Sequence, residues 1–187
     1  MTRIQRFAFC TLAVLATGCA QLKAPPYAAD YEALDRLKAS KPASVAVAKV
    51  EPADPNHPVN NLSLRGARLL SPSGTFAKYL EDALVSDLKE VSAYDAKSRT
   101  RIDARILNNE ISVGNIVTGT GVMEVQIEVS REGVQRLKKT YKANTSFESS
   151  FAGIVAIPAG QAAYSDLVRT LLRQVYADPQ FAAALAS

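Results

Sequence analysis

The sequence predicts an α+β fold, a two-layer sandwich in which a mostly antiparallel sheet of about four strands carries two amphipathic helices on one face. Three observations lead to this prediction. Residues 122–130 alternate apolar and polar side chains, as does a strand with one solvated face. Residues 71–91 and 161–177 repeat apolar side chains at steps of three and four, which is typical of helices packed on a core. The segments follow in the order β-α-β-β-β-α.

The other strands follow from β-branched residues and turn signals. Residues 44–50 (SVAVAKV) alternate and predict the first strand. Residues 134–147 return beside 122–130 through a tight turn at residues 131–133, where a glycine suits a positive φ. This pair gives the sheet one polar face.

A β-bulge is predicted in the strand over residues 101–113. Ile106 lies on one face by simple alternation, whereas Ile111 lies on the other. One extra residue near Asn108 and Asn109 would return both isoleucines to the same face.

Short helices and helix starts have capping signals. Asp30 precedes an apolar pattern over residues 30–38 and predicts a capped helix there. The stretch 71–75 (SPSGT) starts the first long helix. After the second long helix, Asp178 and Pro179 predict a short terminal helix with an aspartate cap and a proline in its first turn.

Two stretches carry apolar side chains without a helical or strand period. Residues 62–70 contain four leucines, and one interpretation is an edge strand interrupted at Gly66. Residues 149–160 predict a loop, and its apolar side chains form a candidate partner-contact surface: Phe151, Ile154, Val155 and Ile157. An exposed apolar patch of this kind marks interaction surfaces. The alternative is that the loop folds over the end of the core.

The first residues have the pattern of an export signal. Arg3 and Arg6 form a cationic start, residues 7–16 are apolar, and small residues precede Cys19. The apolar run is too short to cross a bilayer, which takes about 20 residues. We therefore predict a signal peptide over residues 1–18.

The stretch 15–19 (LATGC) resembles the lipobox of bacterial lipoproteins, although Ala16 stands at position −3 and the leucine lies one residue earlier. The resemblance implies cleavage before Cys19, acylation of Cys19 and attachment to the membrane through its acyl chains. It also implies the envelope of a diderm bacterium, and Ala20 favours the outer membrane, facing the periplasm. The alternative is an ordinary signal peptide in which Cys19 has no role.

Composition bounds the remaining chain. Residues 19–29, with two adjacent prolines, predict a lipidated N-terminus and tether, and residues 30–187 a single periplasmic domain. Cys10 leaves with the signal and Cys19 would carry lipid, so no disulfide is expected.

The net charge of +4 falls to +2 once the two signal arginines are removed, which indicates no particular partner, and nucleic acid is not expected. Lysines cluster at positions 138, 139 and 142. The cluster is interpreted either as the solvated face of a strand or as a surface that contacts anionic headgroups.

No familiar catalytic, metal or cofactor motif is found in the sequence. His57 is the single histidine, so a multi-histidine zinc site cannot form. The glycines of residues 114–121 (GNIVTGTG) precede a strand, whereas phosphate-binding loops precede a helix. Glu124 and Glu128 share a strand face and are the candidates for a cell-wall hydrolase, the weakest of three functional hypotheses. We expect a protein that is not an enzyme.

The lipobox, tether and β-α-β-β-β-α domain together resemble small envelope lipoproteins that serve as auxiliary components of membrane-lipid ABC transport systems. The resemblance rests on layout and transfers no binding residue beyond Cys19. It implies a non-catalytic accessory or assembly subunit of an envelope complex. The second hypothesis is a periplasmic carrier that holds a lipid or other apolar ligand between sheet and helices.

Overall fold

The computed structural model describes residues 21–186. The predicted signal peptide and Cys19 lie outside these residues. Along the chain the elements are β1 (Leu22–Lys23), α1 (Tyr31–Ala39), β2 (Ala46–Glu51), β3 (Leu62–Leu64), β4 (Ala67–Leu70), α2 (Phe76–Glu90), β5 (Thr100–Ser112), β6 (Thr118–Arg131), β7 (Val134–Glu148), α3 (Gly153–Tyr176) and α4 (Pro179–Leu185).

The predicted α+β sandwich is confirmed. The main sheet has the strand order β2-β5-β6-β7, with β2 parallel to β5 and the other pairs antiparallel. Helices α2 and α3 pack on one face of it. On β6 the apolar side chains from Met123 to Val129 are buried beneath the helices, while the alternating Glu124, Gln126 and Glu128 lie on the other face. The alternation in the sequence therefore corresponds to one covered and one open face.

The predicted bulge is present in β5. Ile106 pairs with Val125 and Asn108 pairs with Glu124, so Leu107 has no partner in the ladder. Leu107 is 45% exposed, and the extra residue returns Ile111 to the buried face. One added residue thus keeps a 13-residue strand apolar on its covered side.

The capping predictions also agree with the structure. The Asp30 carboxylate accepts from the N–H groups of Glu32 and Ala33 at the start of α1. Thr75 caps α2, and Asp178 caps α4 by accepting from the N–H of Gln180. Each side chain satisfies N–H groups that lack a partner within the helix.

Residues 62–70 form a hairpin, which the sequence did not predict. Strands β3 and β4 turn at Arg65 and Gly66, both with positive φ, and pair antiparallel. Together with β1 they build a second sheet in the order β1-β4-β3. Strands of three and four residues are too short for periodicity to be recognised.

Part of the stretch 19–29, predicted as lipidated N-terminus and tether, pairs with the small sheet. Leu22 pairs in parallel with Leu69, and the N–H of Ala24 donates to the carbonyl oxygen of Leu70 at 2.9 Å. Ala24 is buried in the core. Because residues 22–24 pair with β4 through their backbone and Ala24 is buried, this segment belongs to the domain.

The predicted loop over residues 149–160 is also corrected, because α3 already begins at Gly153. Pro158 lies inside the helix and cannot donate to the carbonyl of Ile154, four residues earlier. That turn is exposed, so the carbonyl can bond to solvent instead. Gly160 allows close packing, since a Cβ there would lie 2.8 Å from Cγ1 of Val113.

Candidate functional site

Five apolar side chains are exposed at one end of the main sheet. They are Ile116, Val117, Phe151, Ile154 and Val155, with 61%, 71%, 78%, 86% and 55% of their surface accessible. The first two lie between β5 and β6, and the other three lie at or just before the start of α3. The N–H of Ser149 donates to the carbonyl oxygen of Val117 at 2.9 Å, so the two segments meet. We call these five residues the apolar end.

The structure divides the partner-contact surface that the sequence suggested. Phe151, Ile154 and Val155 are exposed, whereas Ile157 is half-buried and packs against the core. Of the four predicted contact residues, only Ile157 covers the core, as the alternative interpretation expected. Sequence reasoning missed Ile116 and Val117, although two β-branched residues within a turn were a usable signal.

Arg65 fixes the backbone beneath the apolar end. Its guanidinium donates to the carbonyl oxygens of Ser150 and Phe151, and more weakly, at 3.4 Å, to that of Val113. The β3–β4 turn is thereby joined to the start of α3 and to the end of β5. The three hydrogen bonds of Arg65 therefore hold the backbone that carries Phe151 at the start of α3.

The N-terminal segment runs along α3. We call residues 22–30 the strap. The amide of Gln161 donates to the carbonyl oxygen of Lys23 at 2.9 Å, and Nε of Arg173 donates to Asp30 at 2.8 Å. Because Gln161 is nearer than Arg173 to the start of α3, the strap follows the helix from that end toward its C-terminus. The first residue of the strap, Leu22, therefore lies toward the end of α3 that carries the apolar end.

A buried carboxylate holds the middle of the strap. The hydroxyls of Tyr27 and Tyr176 donate to Oδ2 of Asp87 at 2.8 and 2.9 Å. Asp87 is 1% exposed, and its Oδ1 has no hydrogen-bond partner. Burial raises the pKa of Asp87 to about 6, although the two tyrosine hydroxyls act in the opposite direction. Burial beside this carboxylate also raises the pKa of Tyr27 and of Tyr176 far above their usual range.

The open face of the sheet carries charged side chains in pairs. Arg105 contacts Glu51 at 2.8 Å, and Lys138 contacts Glu128 at 3.1 Å. They line part of a surface depression of about 300 Å³. These exposed pairs contribute little to stability. The depression is lined by both charge signs and does not select an anionic or a cationic ligand.

The carboxylates considered for glycoside chemistry are poorly placed. Glu124 and Glu128 are four residues apart on β6, a separation of about 13 Å along the strand. Glycosidase pairs lie about 5–9.5 Å apart. The geometry therefore does not favour this pair as an acid and its partner.

His57, the glycine-containing stretch and the lysine cluster were the other candidates from the sequence. Nδ1 of His57 accepts from the N–H of Val59 at 3.4 Å and caps a short 3₁₀ turn. Residues 113–117 connect β5 to β6, whereas the rest of the glycine-containing stretch 114–121, with Gly119 and Gly121, lies within β6. Lys139 contacts Asp178 at 2.7 Å, and Lys138 is paired as described above. Within residues 21–186 no cluster of three or more His, Cys, Asp or Glu side chains could hold a metal ion.

The sheet–helix interface is filled by aromatic side chains. The rings of Phe76 and Tyr164 lie 4.5 Å apart between centroids, and those of Tyr79 and Tyr164 lie 5.5 Å apart. Asn109 donates to the Tyr164 hydroxyl at 3.1 Å. This packing gives no specific support to a carrier whose ligand would lie between sheet and helices.

In the described part of the chain, no helix has both the length and the apolar content needed to cross a membrane.

Comparison with known proteins shows a shared fold. No family model matches the chain, and no curated protein matches it. A crystal structure of a Xanthomonas campestris protein of the DUF330 family is 12% identical, covers 83% of this chain and 90% of its own, and superposes with a TM-score of 0.56. A candidate lipoprotein from Caulobacter crescentus CB15 is 13% identical, with coverages of 83% and 96% and a TM-score of 0.46. An uncharacterised protein is 10% identical, with coverages of 88% and 97% and a TM-score of 0.39. The Xanthomonas structure shows that the chain has a fold seen in the DUF330 family.

The apolar end is expected to be dispensable for folding. Ile154→Asp should change the free energy of unfolding by less than about 1 kcal/mol, because this side chain is exposed and a carboxylate suits a helix start. Ile157→Asp, one turn later, should cost about 2 kcal/mol or more, because Ile157 packs on the core. Urea denaturation of both variants measures the difference. Equal losses would mean that Ile154 is part of the core.

Proposed function

We propose that this protein is a bacterial envelope lipoprotein, anchored by acyl chains on Cys19, that serves as a non-catalytic accessory subunit of a membrane complex. Lipid transport is the pathway implied by the resemblance of the lipobox and domain layout to auxiliary lipoproteins of ABC systems. The proposed location is the outer membrane, with the domain facing the periplasm.

The position of the strap carries the anchoring part of the proposal. The described domain begins at its first paired residue, Leu22, only three residues after Cys19. The lipobox-like stretch 15–19 therefore directly precedes a folded domain. Several acyl chains on one cysteine would hold such a domain stably, whereas a single chain binds a membrane only marginally.

The accessory part rests on the surface chemistry and on the fold. On the open sheet face Arg105 is paired with Glu51 and Lys138 with Glu128, and His57 serves as a cap. The depression beside these pairs is open to solvent. The fold shared with a DUF330 protein fits a domain of this type.

Replacing Cys19 tests the anchor. In cells given radiolabelled palmitate, the wild-type chain should incorporate label and sediment with membranes. Cys19→Ala should lose all label and remain either uncut or soluble in the periplasm. Cys10→Ala is the matched control, since Cys10 lies in the predicted signal and the mature chain would be unchanged. Label that persists in Cys19→Ala would disprove the lipobox assignment.

Crosslinking tests the accessory role. Mild crosslinking in cells, detergent extraction and mass spectrometry of the purified complex should recover subunits of a transporter or channel with the wild-type chain. Recovery of the protein alone, with co-purified lipid, would instead favour the carrier hypothesis.

A further inference from the structure

We propose that the apolar end lies on the membrane leaflet that holds the acyl chains of Cys19, with its exposed side chains entering the boundary between headgroups and acyl chains. This inference rests on the anchor proposed above and deepens it, because it names the face of the domain that meets the bilayer. The apolar surface, the course of the strap and the nearby charges support it.

The apolar end has the composition of a membrane-contacting surface. It combines one phenylalanine with four β-branched residues from two separate segments of the chain. Aromatic and aliphatic side chains of this kind enter the boundary region of a bilayer. Other exposed apolar side chains, such as Tyr31 and Val134, lie elsewhere on the domain. Isolated exposed apolar residues are ordinary, whereas a group of five on one surface indicates a contact.

The strap limits how far this surface can be from the anchor. Lys23 is held beside Gln161, which is eight residues, or about 12 Å, along α3 from Gly153. Cys19 precedes Lys23 by four residues, which span at most about 14 Å. Because the strap leads toward the start of α3, the lipid attachment can reach the level of the apolar end.

This short connection favours the bilayer over a protein as the occupant. A single helix is about 10–12 Å across. Lys23 lies about 12 Å along α3 from Gly153, so a connection of at most about 14 Å lets the lipid attachment extend only about 2 Å beyond the start of α3. This is much less than the width of one helix, so a folded partner does not fit between the apolar end and the headgroups. Partners of the proposed complex would instead contact the open sheet face or the opposite end of the domain.

One basic side chain lies at the apolar end and two more lie on the adjoining small sheet, where they can complement anionic headgroups. Arg65 lies beneath Phe151, and Arg68 and Lys23 lie on the neighbouring strands β4 and β1. All three are exposed. Within residues 21–186 none of them forms an ion pair with a carboxylate. Basic residues beside an apolar surface add electrostatic attraction to anionic lipids.

The lack of tryptophan in this chain allows a direct test. Phe151→Trp and Val155→Trp each place a single fluorophore in the apolar end. Val134→Trp is the matched control, because Val134 is 58% exposed and lies at the start of β7, at the far end of the sheet. Each full-length acylated variant is reconstituted into phosphatidylethanolamine–phosphatidylglycerol vesicles, with and without dibrominated phospholipid.

We expect the tryptophans at positions 151 and 155 to emit at shorter wavelength on vesicles and to be quenched several-fold more by brominated lipid than the tryptophan at position 134. Equal quenching at all three positions, on protein that carries its acyl chains and floats with the vesicles, would overturn this proposal and leave the anchor intact. A wavelength shift that grows with protein concentration, without lipid quenching, would assign the surface to a second copy and also overturn it. A chain that neither carries acyl mass nor floats would overturn the anchor, and this proposal with it.

Discussion

Asn60→Ala should lower the free energy of unfolding by about 3–5 kcal/mol, because a single buried amide joins a loop to the start of α2. Its Nδ2 donates to the carbonyl oxygens of Pro52 and Asp54, both at 2.8 Å. Its Oδ1 accepts from the N–H groups of Phe76 and Ala77, at 2.9 and 3.1 Å. Alanine would leave four polar backbone groups without these partners, and two of them belong to the first turn of a helix.

The neighbouring asparagine is the matched control for this variant. Asn61 is exposed and donates to the carbonyl oxygens of Pro55 and His57 at 3.2 and 3.3 Å. Solvent can replace these bonds, so Asn61→Ala should cost less than about 1 kcal/mol. Urea denaturation followed by circular dichroism measures both variants. A loss of the same size in both would show that burial of the Asn60 bonds is not what stabilises α2.

Asp87→Asn should remove the contribution of Asp87 to the free energy of unfolding, a contribution that falls between about pH 4 and pH 6. The ordinary pKa of an aspartate is 3.8, and burial raises the pKa of Asp87 to about 6 in the folded state. As pH rises through this window, the unfolded chain loses the proton first, so the unfolded state gains stability relative to the folded state. The difference of about two pKa units corresponds to about 3 kcal/mol, reached in full above pH 6.

The measurement is the difference in unfolding free energy between wild type and variant at each pH. Other carboxylates contribute in the opposite direction, since Lys49 and Arg105 lower the pKa of Glu51, and the difference removes them. Asp82→Asn is the control, because Asp82 lies on the same helix but is exposed and paired with Lys78. Parallel pH profiles for wild type and Asp87→Asn would contradict the assignment of this pH dependence to Asp87.

Local patterns were sufficient wherever an element is long enough to repeat. The alternation of β6 and the apolar stripes of α2 and α3 predicted the covered face of the sheet, because one face of each element must pack on the core. The parity change in β5 predicted its bulge, and Asp30 and Asp178 predicted helix starts. These signals depend on neighbours within a few residues, so the sequence contains them directly.

Contacts between distant segments set the limits of sequence reasoning about the candidate site. Composition alone suggested Phe151, Ile154 and Val155 as a surface. The position of Ile116 and Val117 in a turn could have indicated their exposure, but not that they would lie beside that surface. The sequence also did not separate Ile157, which packs on the core, from its exposed neighbours. Their burial depends on where α3 begins and on what lies beneath its first turns.

The sequence by itself determined the fold class, the two long helices, the three long strands and the lipobox-like start, since each is a local pattern. The tertiary structure decided the pairing of Leu22 with Leu69, the course of the strap along α3 and the position of Asn60 at the start of α2. These features join residues that are 16 to 143 positions apart. Only the folded chain brings them together, because such contacts form when burial and hydrogen bonding offset the entropy of closing long loops.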